Sequence, residues 1–203
     1  MCSMNFDPAK FSPASVVDTC SIWNMLSSVR INQAALQARI HFCITPVVLY
    51  ECLGKPRPTL SESQQELIKR FQKELAGGRF PIQECSLDDL VAITSKAPMR
   101  LGSGELSCIA TAYRIRNIAV MTDDKSARES ARRNFGLRVE TTPTLYGYLH
   151  YHQHLGDADH PEVIKEHEHF EARPLTSFFE ATYREAMRCR QMARASASPS
   201  IET

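Results

Sequence analysis

The sequence has little that would mark a membrane-bound, secreted or disulfide-bonded protein. No apolar run approaches the roughly 18 residues that a membrane-spanning helix needs. The first ten residues, MCSMNFDPAK, lack the basic-then-apolar pattern of a signal peptide. The seven cysteines are odd in number and form no C-x-x-C pair, and several lie within apolar runs, as reduced core cysteines do. We therefore expect a cytoplasmic protein that does not bind membranes.

The chain also lacks a large net charge of either sign, since its formal net charge is only +1. No overall basic field therefore points to nucleic acid. Locally, residues 112–138 hold seven basic side chains against three acidic ones, a balance of +4. Such a segment is either a solvated helix face or, beside a bound divalent cation, a surface that attracts phosphate.

Apolar segments alternate with amphipathic ones along most of the 203 residues, a length that suits one domain. The pattern predicts strands at 14–19, 44–45, 117–122 and 137–142, and a strand followed by a short helix within 80–93. It predicts helices that begin near Ser21 and at Pro46, and others within 63–78, 102–116 and 126–135. Strands alternating with helices indicate an α/β fold with a mostly parallel sheet.

Acidic residues recur where these strands end. Asp18 ends the first strand, and Asp123 and Asp124 follow a later one. Glu51 comes about one helical turn after the second strand, and Glu105 lies in the first turn of another helix. Ligands of open α/β sheets bind at the carboxyl ends of strands, so we expect these acids to gather there. The alternative for Asp124 is that it only caps the helix that begins near Lys125.

Three segments resemble the PIN-domain nucleases, and they occur in that family's order. They are VVDTCS, TPVVLYECL and LGSGELSCIATAYRIRNIAVMTDDKSARESARRNFGLRVETT, and the resemblance spans about residues 14–148. The longest segment is similar to a branch with a Gly-Glu helix start and a Thr-Asp-Asp strand end. The resemblance implies a three-layer fold in which helices flank a central, mostly parallel sheet.

The resemblance also implies a Mg²⁺ or Mn²⁺ site formed by carboxylates, with hydrolysis of a phosphodiester by an activated water. The catalytic residues it implies are Asp18, Glu51, Glu105 and Asp124, and the metal ligands are Asp18, Glu105, Asp124 and Asp123. Asp124 ranks above Asp123 as the primary ligand of that pair.

Further roles fall to neighbouring side chains. Hydroxyls that could hold the carboxylates in position are those of Thr19, Ser21 and Thr122, and their alternative role is hydrogen bonding at strand ends and caps. The side chains expected to bind RNA are Lys125, Arg128 and Arg132. Glu105 departs from the family's frequent Asp, and Cys20 separates Thr19 from Ser21, but neither removes a carboxylate.

The C-terminal region has another character. We expect a nuclease domain at 14–148, a helical extension at 149–195 and a flexible tail at 196–203. Six of the seven histidines lie within 150–169 among many acids, which favours a solvated helix or loop over a metal site. The apolar residues Phe178, Phe179, Tyr183 and Met187 then predict a helix packed on the domain or on a partner.

The leading hypothesis is a Mg²⁺- or Mn²⁺-dependent endoribonuclease, acting as the toxin of a toxin–antitoxin pair or as a defence effector. Its expected partners are RNA, an antitoxin or other protein, and a second copy in a homodimer. The alternative is a catalytically silent PIN-like module that binds RNA or protein. A phosphatase would need an Asp-x-Asp opening and a receiver domain a mid-chain strand-end Asp, and the sequence has neither.

Overall fold

The structure, a computed structural model, describes residues 6–57, 59–96, 101–171 and 174–197. In these ranges four short strands form one parallel sheet in the order β2-β1-β3-β4. They are β1 (Ala14–Val17), β2 (His41–Cys43), β3 (Ala119–Met121) and β4 (Val139–Glu140). Helices flank this sheet, and the expected α/β fold with a parallel sheet is confirmed.

The helices are α1 (Thr19–Leu26), α2 (Val29–Gln37), α3 (Pro46–Leu49), α4 (Glu62–Ala76), α5 (Leu87–Thr94), α6 (Ser103–Ile115), α7 (Lys125–Phe135), α8 (Thr142–Tyr151), α9 (Asp159–Phe170) and α10 (Thr176–Ala197). A π-helical turn over Tyr50–Gly54 continues α3.

Local chemistry explains where several of these helices begin and end. The side chain of Thr45 accepts a hydrogen bond from the backbone of Val48, and Pro46 occupies the first turn of α3. Ser61 opens α4 through reciprocal bonds with Gln64. Gly136 ends α7 in the left-handed conformation, which a residue without a Cβ adopts readily. These residues set where α3 and α4 begin and where α7 ends.

Strands β1 and β3 are the two central strands, and their residues are almost entirely buried. Val16 pairs with Val120 and Val17 with Met121, all four side chains being at most 1% exposed. Because the strands are parallel, both end at the same edge of the sheet. The residue after β1, Asp18, donates its backbone N–H to the carbonyl of Met121 at 3.1 Å. The sheet therefore places the segment after β1 directly beside the segment after β3.

The structure shifts two of the predicted strands. The predicted strand at 44–45 lies earlier, at β2, because Thr45 serves as the cap of α3; Ile44 forms only an isolated bridge with Ile82. The predicted strand at 137–142 is reduced to β4, because Thr141 caps α8. In both places a hydroxyl side chain that favours helix capping ends the strand.

The C-terminal helices pack on the sheet domain and on each other. Helix α10 lies along α8 and also contacts α9, and the rings of Tyr146 and Phe179 meet at a centroid distance of 4.9 Å. The expected stripe on α10 is only partly correct, because Phe179 is fully buried whereas Phe178 is 49% exposed. The domain division at 148 stays a prediction. Of the expected tail, residues 196–197 belong to α10 and 198–203 lie outside the described residues.

The expectation that the histidine-rich segment is solvated is wrong for two of its members. His150 and His167 are fully buried, although His152 and His169 are exposed. The ring of His150 lies edge-on to Tyr146 and Tyr183, at centroid distances of 4.6 and 4.8 Å. Packing of three helices therefore buries imidazoles that sequence polarity had placed in solvent.

Two further expectations concerned the cysteines and membrane-spanning segments. The six cysteines within the described ranges are all free; the seventh, Cys2, lies outside them. Over the same ranges, no helix combines the length and the apolar character needed to cross a bilayer.

Candidate active site

Asp18 is the most deeply buried acid at the sheet edge. It caps α1 by accepting the backbone N–H of Ser21 at 2.9 Å, and its other oxygen accepts the hydroxyl of Thr122 at 2.5 Å. The thiol of Cys20 lies 3.1–3.2 Å from both carboxylate oxygens. The carboxylate is only 2% exposed, and these donors and the α1 N-terminus compensate for part of the loss of water. Thr122 and Ser21 thus hold Asp18 in position, although Ser21 does so with its backbone.

Glu51 projects from the π-helical turn towards the start of α6. One carboxylate oxygen accepts the hydroxyl of Thr19 at 2.5 Å, and the other accepts the hydroxyl of Ser103 and the backbone N–H of Gly104, both at 2.9 Å. A Cβ on Gly104 would lie 2.9 Å from the carboxyl carbon of Glu51 and would overlap the nearer of its two oxygens. A glycine at position 104 is therefore what allows Glu51 to approach the α6 N-terminus.

Glu105 completes a group of three acids that line one cavity. One oxygen of Glu105 accepts the backbone N–H of Gly102 at 2.9 Å. The cavity has a volume of about 230 Å³, and we call it the carboxylate pocket. Its described lining is Asp18, Thr19, Cys20, Trp23, Glu51, Gly102, Gly104 and Glu105. None of these side chains is basic, so the lining holds three carboxylates without a cation.

Asp123 lies beside this group but is fully engaged by hydrogen bonds. Its carboxylate accepts from Asn24 Nδ2 at 2.8 Å, from Ser21 Oγ at 3.1 Å, and from the backbone and hydroxyl of Thr142 at 2.9 and 2.6 Å. These donors come from α1, which follows β1, and from α8, which follows β4. Asp123 therefore links the end of β3 to α1 and α8, and the Ser21 hydroxyl is one of its donors.

Asp124 does what the capping interpretation predicts. Its Oδ1 accepts the backbone N–H of Ala127 at 2.8 Å and so caps α7. Its Oδ2 has no hydrogen-bond partner in the part of the chain that the structure describes. Its charge acts on Glu105, one of the reasons the pKa of Glu105 is raised. Of the two neighbouring aspartates, Asp124 keeps an oxygen available and Asp123 does not.

Charge accumulates at this edge of the sheet. Burial raises the pKa of the Asp18 carboxyl, and the charge of Asp123 adds to the increase, while hydrogen bonds from Thr122 and Ser21 oppose it. Burial also raises the pKa of Glu105, and the charges of Asp124, Asp18 and Glu51 add to it. In the described ranges, none of these acids forms a salt bridge. The site therefore carries excess negative charge that a cation would neutralise.

The basic residues expected to bind RNA lie on α7 with differing availability. Arg128 donates to the backbone carbonyl of Asp123 at 2.5 Å, and Arg132 donates to that of Val139 at 3.3 Å. Lys125, at the first position of α7, is exposed. Two of the three cations thus also support the fold next to the site.

Four residues that shape the site were not singled out by sequence reasoning. Asn24 and Thr142 donate to Asp123, and Ser103 and Gly104 donate to Glu51. The dipeptide Ser103–Gly104 before Glu105 carried a local signal, because a small residue at a helix start permits close approach. Asn24 and Thr142 had no such signal, since their partner is far away in the sequence.

The donor chemistry fits a hydrated magnesium or manganese ion. In the ranges described, no three Asp, Glu, His or Cys side chains are arranged so that they could hold a metal ion as they stand. Mg²⁺, however, takes oxygen ligands and retains several waters when one or two carboxylates bind it. The residues that could hold such an ion are Asp18 and Glu105, which line the pocket, and Asp124, which does not line it.

Comparison with known proteins gives one positive finding. A family model described as a PIN domain matches residues 14–154, which is 141 of the 203 residues. No curated protein matches the chain.

Proposed function

The chain belongs to the PIN-domain family, and on that premise we propose that it is a metal-dependent endoribonuclease acting at the carboxylate pocket. One observation carries the proposal: Asp18, Glu51 and Glu105 line the same 230 Å³ pocket, and no basic side chain is among its described lining. Three carboxylates facing one cavity without a cation suit the binding of a divalent metal ion.

Each acid would have a separate duty. Asp18 and Glu105 would hold Mg²⁺ or Mn²⁺, with Asp124 acting from the neighbouring helix start. The ion, when bound, supplies Lewis-acid activation of water and neutralises charge on the phosphate. Glu51 fixes the Ser103–Gly104 turn, whose backbone N–H groups begin α6. Lys125 and Arg128, near the α7 N-terminus, would attract RNA phosphates to the same edge.

The proposal extends to the biological setting. We propose that the chain acts in the cytoplasm as the toxin of a toxin–antitoxin pair or as a defence effector. Its partners would be RNA, an antitoxin and a second copy of the chain. The nuclease domain would occupy 14–148, with 149–195 as a helical extension.

A catalytically silent PIN-like module that binds RNA or protein is the second candidate. Two observations favour it: Asp123 and Glu51 already use both carboxylate oxygens in hydrogen bonds, and no ready-made cluster of three metal ligands exists among the described side chains. A site of this kind could keep its acids for structural reasons alone.

Cleavage of fluorogenic single-stranded RNA, compared with the same DNA sequence, separates the two candidates. We expect RNA cleavage with Mg²⁺ or Mn²⁺, none in EDTA, and a loss of about 10²-fold or more in Asp18→Asn, since one charged group that positions the reaction is removed. The matched control is Asp88→Asn, an exposed acid in the first turn of α5. Cleavage that survives in EDTA or in Asp18→Asn contradicts the proposal, and RNA binding without cleavage supports the silent module.

A further inference from the structure

A second and larger cavity adjoins the carboxylate pocket. Its volume is about 570 Å³, within the range of about 300–1,000 Å³ that small-molecule sites occupy. It lies between α1, the start of α4 and the end of α9. Trp23 lines both cavities. We call the larger one the tryptophan pocket.

The indole of Trp23 contacts the ring of Phe71 and the guanidinium of Arg57. The ring of Phe71 meets it edge-on, with centroids 5.8 Å apart and an interplanar angle of 75°. The guanidinium of Arg57 lies 5.8 Å from the indole centroid and donates to the backbone carbonyl of Glu51 at 2.9 Å. Arg57 therefore links the wall of the tryptophan pocket to the segment that carries Glu51. A planar group placed on Trp23 would lie next to the carboxylates.

The rest of the lining of the tryptophan pocket includes an aromatic ring and polar groups. Phe170 packs under the guanidinium of Arg70 at 4.4 Å, and Arg70 is fixed by bonds to the carbonyls of Leu26 and Ser27 at 3.0 and 3.2 Å. Glu171 and Gln64 also line the cavity. The Gln64 carbonyl oxygen is used in the cap of α4, so its amide group is the donor left to face a ligand.

We propose that the tryptophan pocket binds one unstacked base of a single-stranded RNA, next to the phosphodiester that is cleaved at the carboxylate pocket. The base would stack on Trp23, while its polar edge would meet Gln64 and Glu171. This deepens the proposed nuclease function and rests on it. RNA-binding proteins commonly read single strands by stacking splayed bases on aromatic rings and by hydrogen bonding to their edges.

Charge favours a base over a phosphate at this position. The ionisable side chains of the described lining are Arg57, His169, Glu168 and Glu171, so the acids outnumber the arginine. A phosphate would be repelled, whereas a base is uncharged and offers amino and imino N–H groups that carboxylates accept. A base with an amino group on its Watson–Crick edge, such as guanine, therefore suits the pocket better than uracil.

Fluorescence gives a direct test, because Trp23 is the only tryptophan in the chain. Full-length protein in EDTA is titrated with a short single-stranded RNA and with a ribose–phosphate chain of the same length that lacks bases. We expect the RNA to change Trp23 emission in a saturable way and the abasic chain to leave it unchanged. An equal response to both chains, or none to the RNA, overturns the proposal.

Variants extend the test to cleavage. Trp23→Leu should raise KM roughly 5- to 150-fold, the value of stacking one base on an aromatic ring, with a smaller effect on kcat. Trp23→Phe keeps a ring and should restore most of the affinity. Gln64→Ala should weaken binding of labelled RNA, while Gln72→Ala, another exposed glutamine of α4 that lies outside the lining, should not. An unchanged KM in Trp23→Leu overturns the proposal.

The outcomes separate this site from the nuclease function. If RNA alters Trp23 emission but no metal ion supports cleavage, the base pocket stands and the nuclease proposal fails. If RNA is cleaved and its binding leaves Trp23 emission unchanged, the nuclease stands and the base pocket fails.

Discussion

The edge of the sheet and the packing of α8, α9 and α10 both bury ionisable side chains, but they treat charge in opposite ways. At the sheet edge, Asp18 receives hydrogen bonds from Thr122, Ser21 and Cys20. Between the helices, neither ring nitrogen of His150 has a hydrogen-bond partner in the described ranges. The first region supplies donors that keep a carboxylate oriented, whereas the second accepts only an uncharged imidazole.

The difference shows what burial alone can do. Loss of water raises the pKa of Asp18 and lowers the pKa of His150 to about 4, so in each case the neutral form gains. Only the sheet edge adds directed donors and helix N-termini that favour the ionised form. The sheet edge thus offsets part of the cost of a buried charge, whereas the packing around His150 gives its ring no hydrogen bond in the described ranges.

The largest effect should come from adding a methyl group at a glycine that lets another side chain approach closely. Such glycines are Gly104 at the sheet edge and Gly147 in α8. Gly104→Ala should push the Glu51 carboxyl away from Ser103 and the α6 N-terminus and lower RNA cleavage by about 10²-fold, the scale of a 1 Å misplacement. The protein should stay folded, because a flexible side chain can move aside. Cleavage rates per folded molecule, with circular dichroism spectra, measure both results.

Two further alanine variants make this test specific. A Cβ on Gly102 would touch Glu105 only at an ordinary 3.8 Å, so Gly102→Ala should leave cleavage nearly unchanged. A Cβ on Gly147, in α8, would lie 2.6 Å from Phe6 and 3.1 Å from Thr182, so Gly147→Ala should lower stability but not cleavage. Equal loss of cleavage in all three variants would contradict the role given to Glu51.

The next largest effect should come from lowering the pH, because the buried groups of the two regions change the unfolding free energy with pH in opposite directions. The pKa values of His150 and His167 fall from 6.5 to about 4 on folding, so their contribution is present above pH 6.5 and is lost as pH falls towards 4. From about pH 7.5 to about pH 5.5 each imidazole should cost about 1 kcal/mol of unfolding free energy. Asp18 and Glu105 act oppositely, because their raised pKa values favour the folded state below their unfolded pKa and cease to do so as pH rises.

Urea unfolding of His150→Leu at several pH values checks this linkage. The variant removes two buried ring nitrogens that lack partners, so it should be at least as stable as the parent at neutral pH and lose less stability in acid. Asp18→Asn should lose stability in acid at least as steeply as the parent, because it removes a group whose linkage opposes that of the histidines. A His150→Leu variant with the parental pH profile would show that His150 is not the titrating group.

Metal should give the smallest effect, and only at the sheet edge. Free Mg²⁺ at about five times its Kd should stabilise the folded state by about 1 kcal/mol, seen as a higher Tm. Asp18→Asn should lose most of that increase, whereas His150→Leu should keep it. An undiminished Mg²⁺ response in Asp18→Asn would remove Asp18 from the set of candidate ligands.

Much of the fold could be predicted because its signals are local. Apolar runs such as the one ending at Val17 mark buried strands, and Pro46 after Thr45 marks a helix start. The acids were found because parallel strands end at one edge of a sheet. Asp123 and Asp124 were harder to rank, since both occupy a strand end and only distant donors, Asn24 and Thr142, distinguish them.

The buried histidines and the tryptophan pocket could not be predicted, because they depend on contacts between residues far apart in the sequence. The burial of His150 and His167 follows from the packing of α8, α9 and α10, while their own segment is rich in charge. The tryptophan pocket likewise forms from residues of α1, α4 and α9, which lie far apart in the sequence. Composition cannot indicate which polar residues a later helix will cover.

The long-range bonds of the sheet edge also set when this site can exist during protein synthesis. Asp18 is held by Thr122, 104 residues further along, and Asp123 is held by Thr142. A chain emerging from the ribosome exposes Asp18 long before either threonine. The carboxylates can therefore take their final positions only after α8 has left the exit tunnel. An unfinished chain would carry the acidic residues without the arrangement that gives them a joint function.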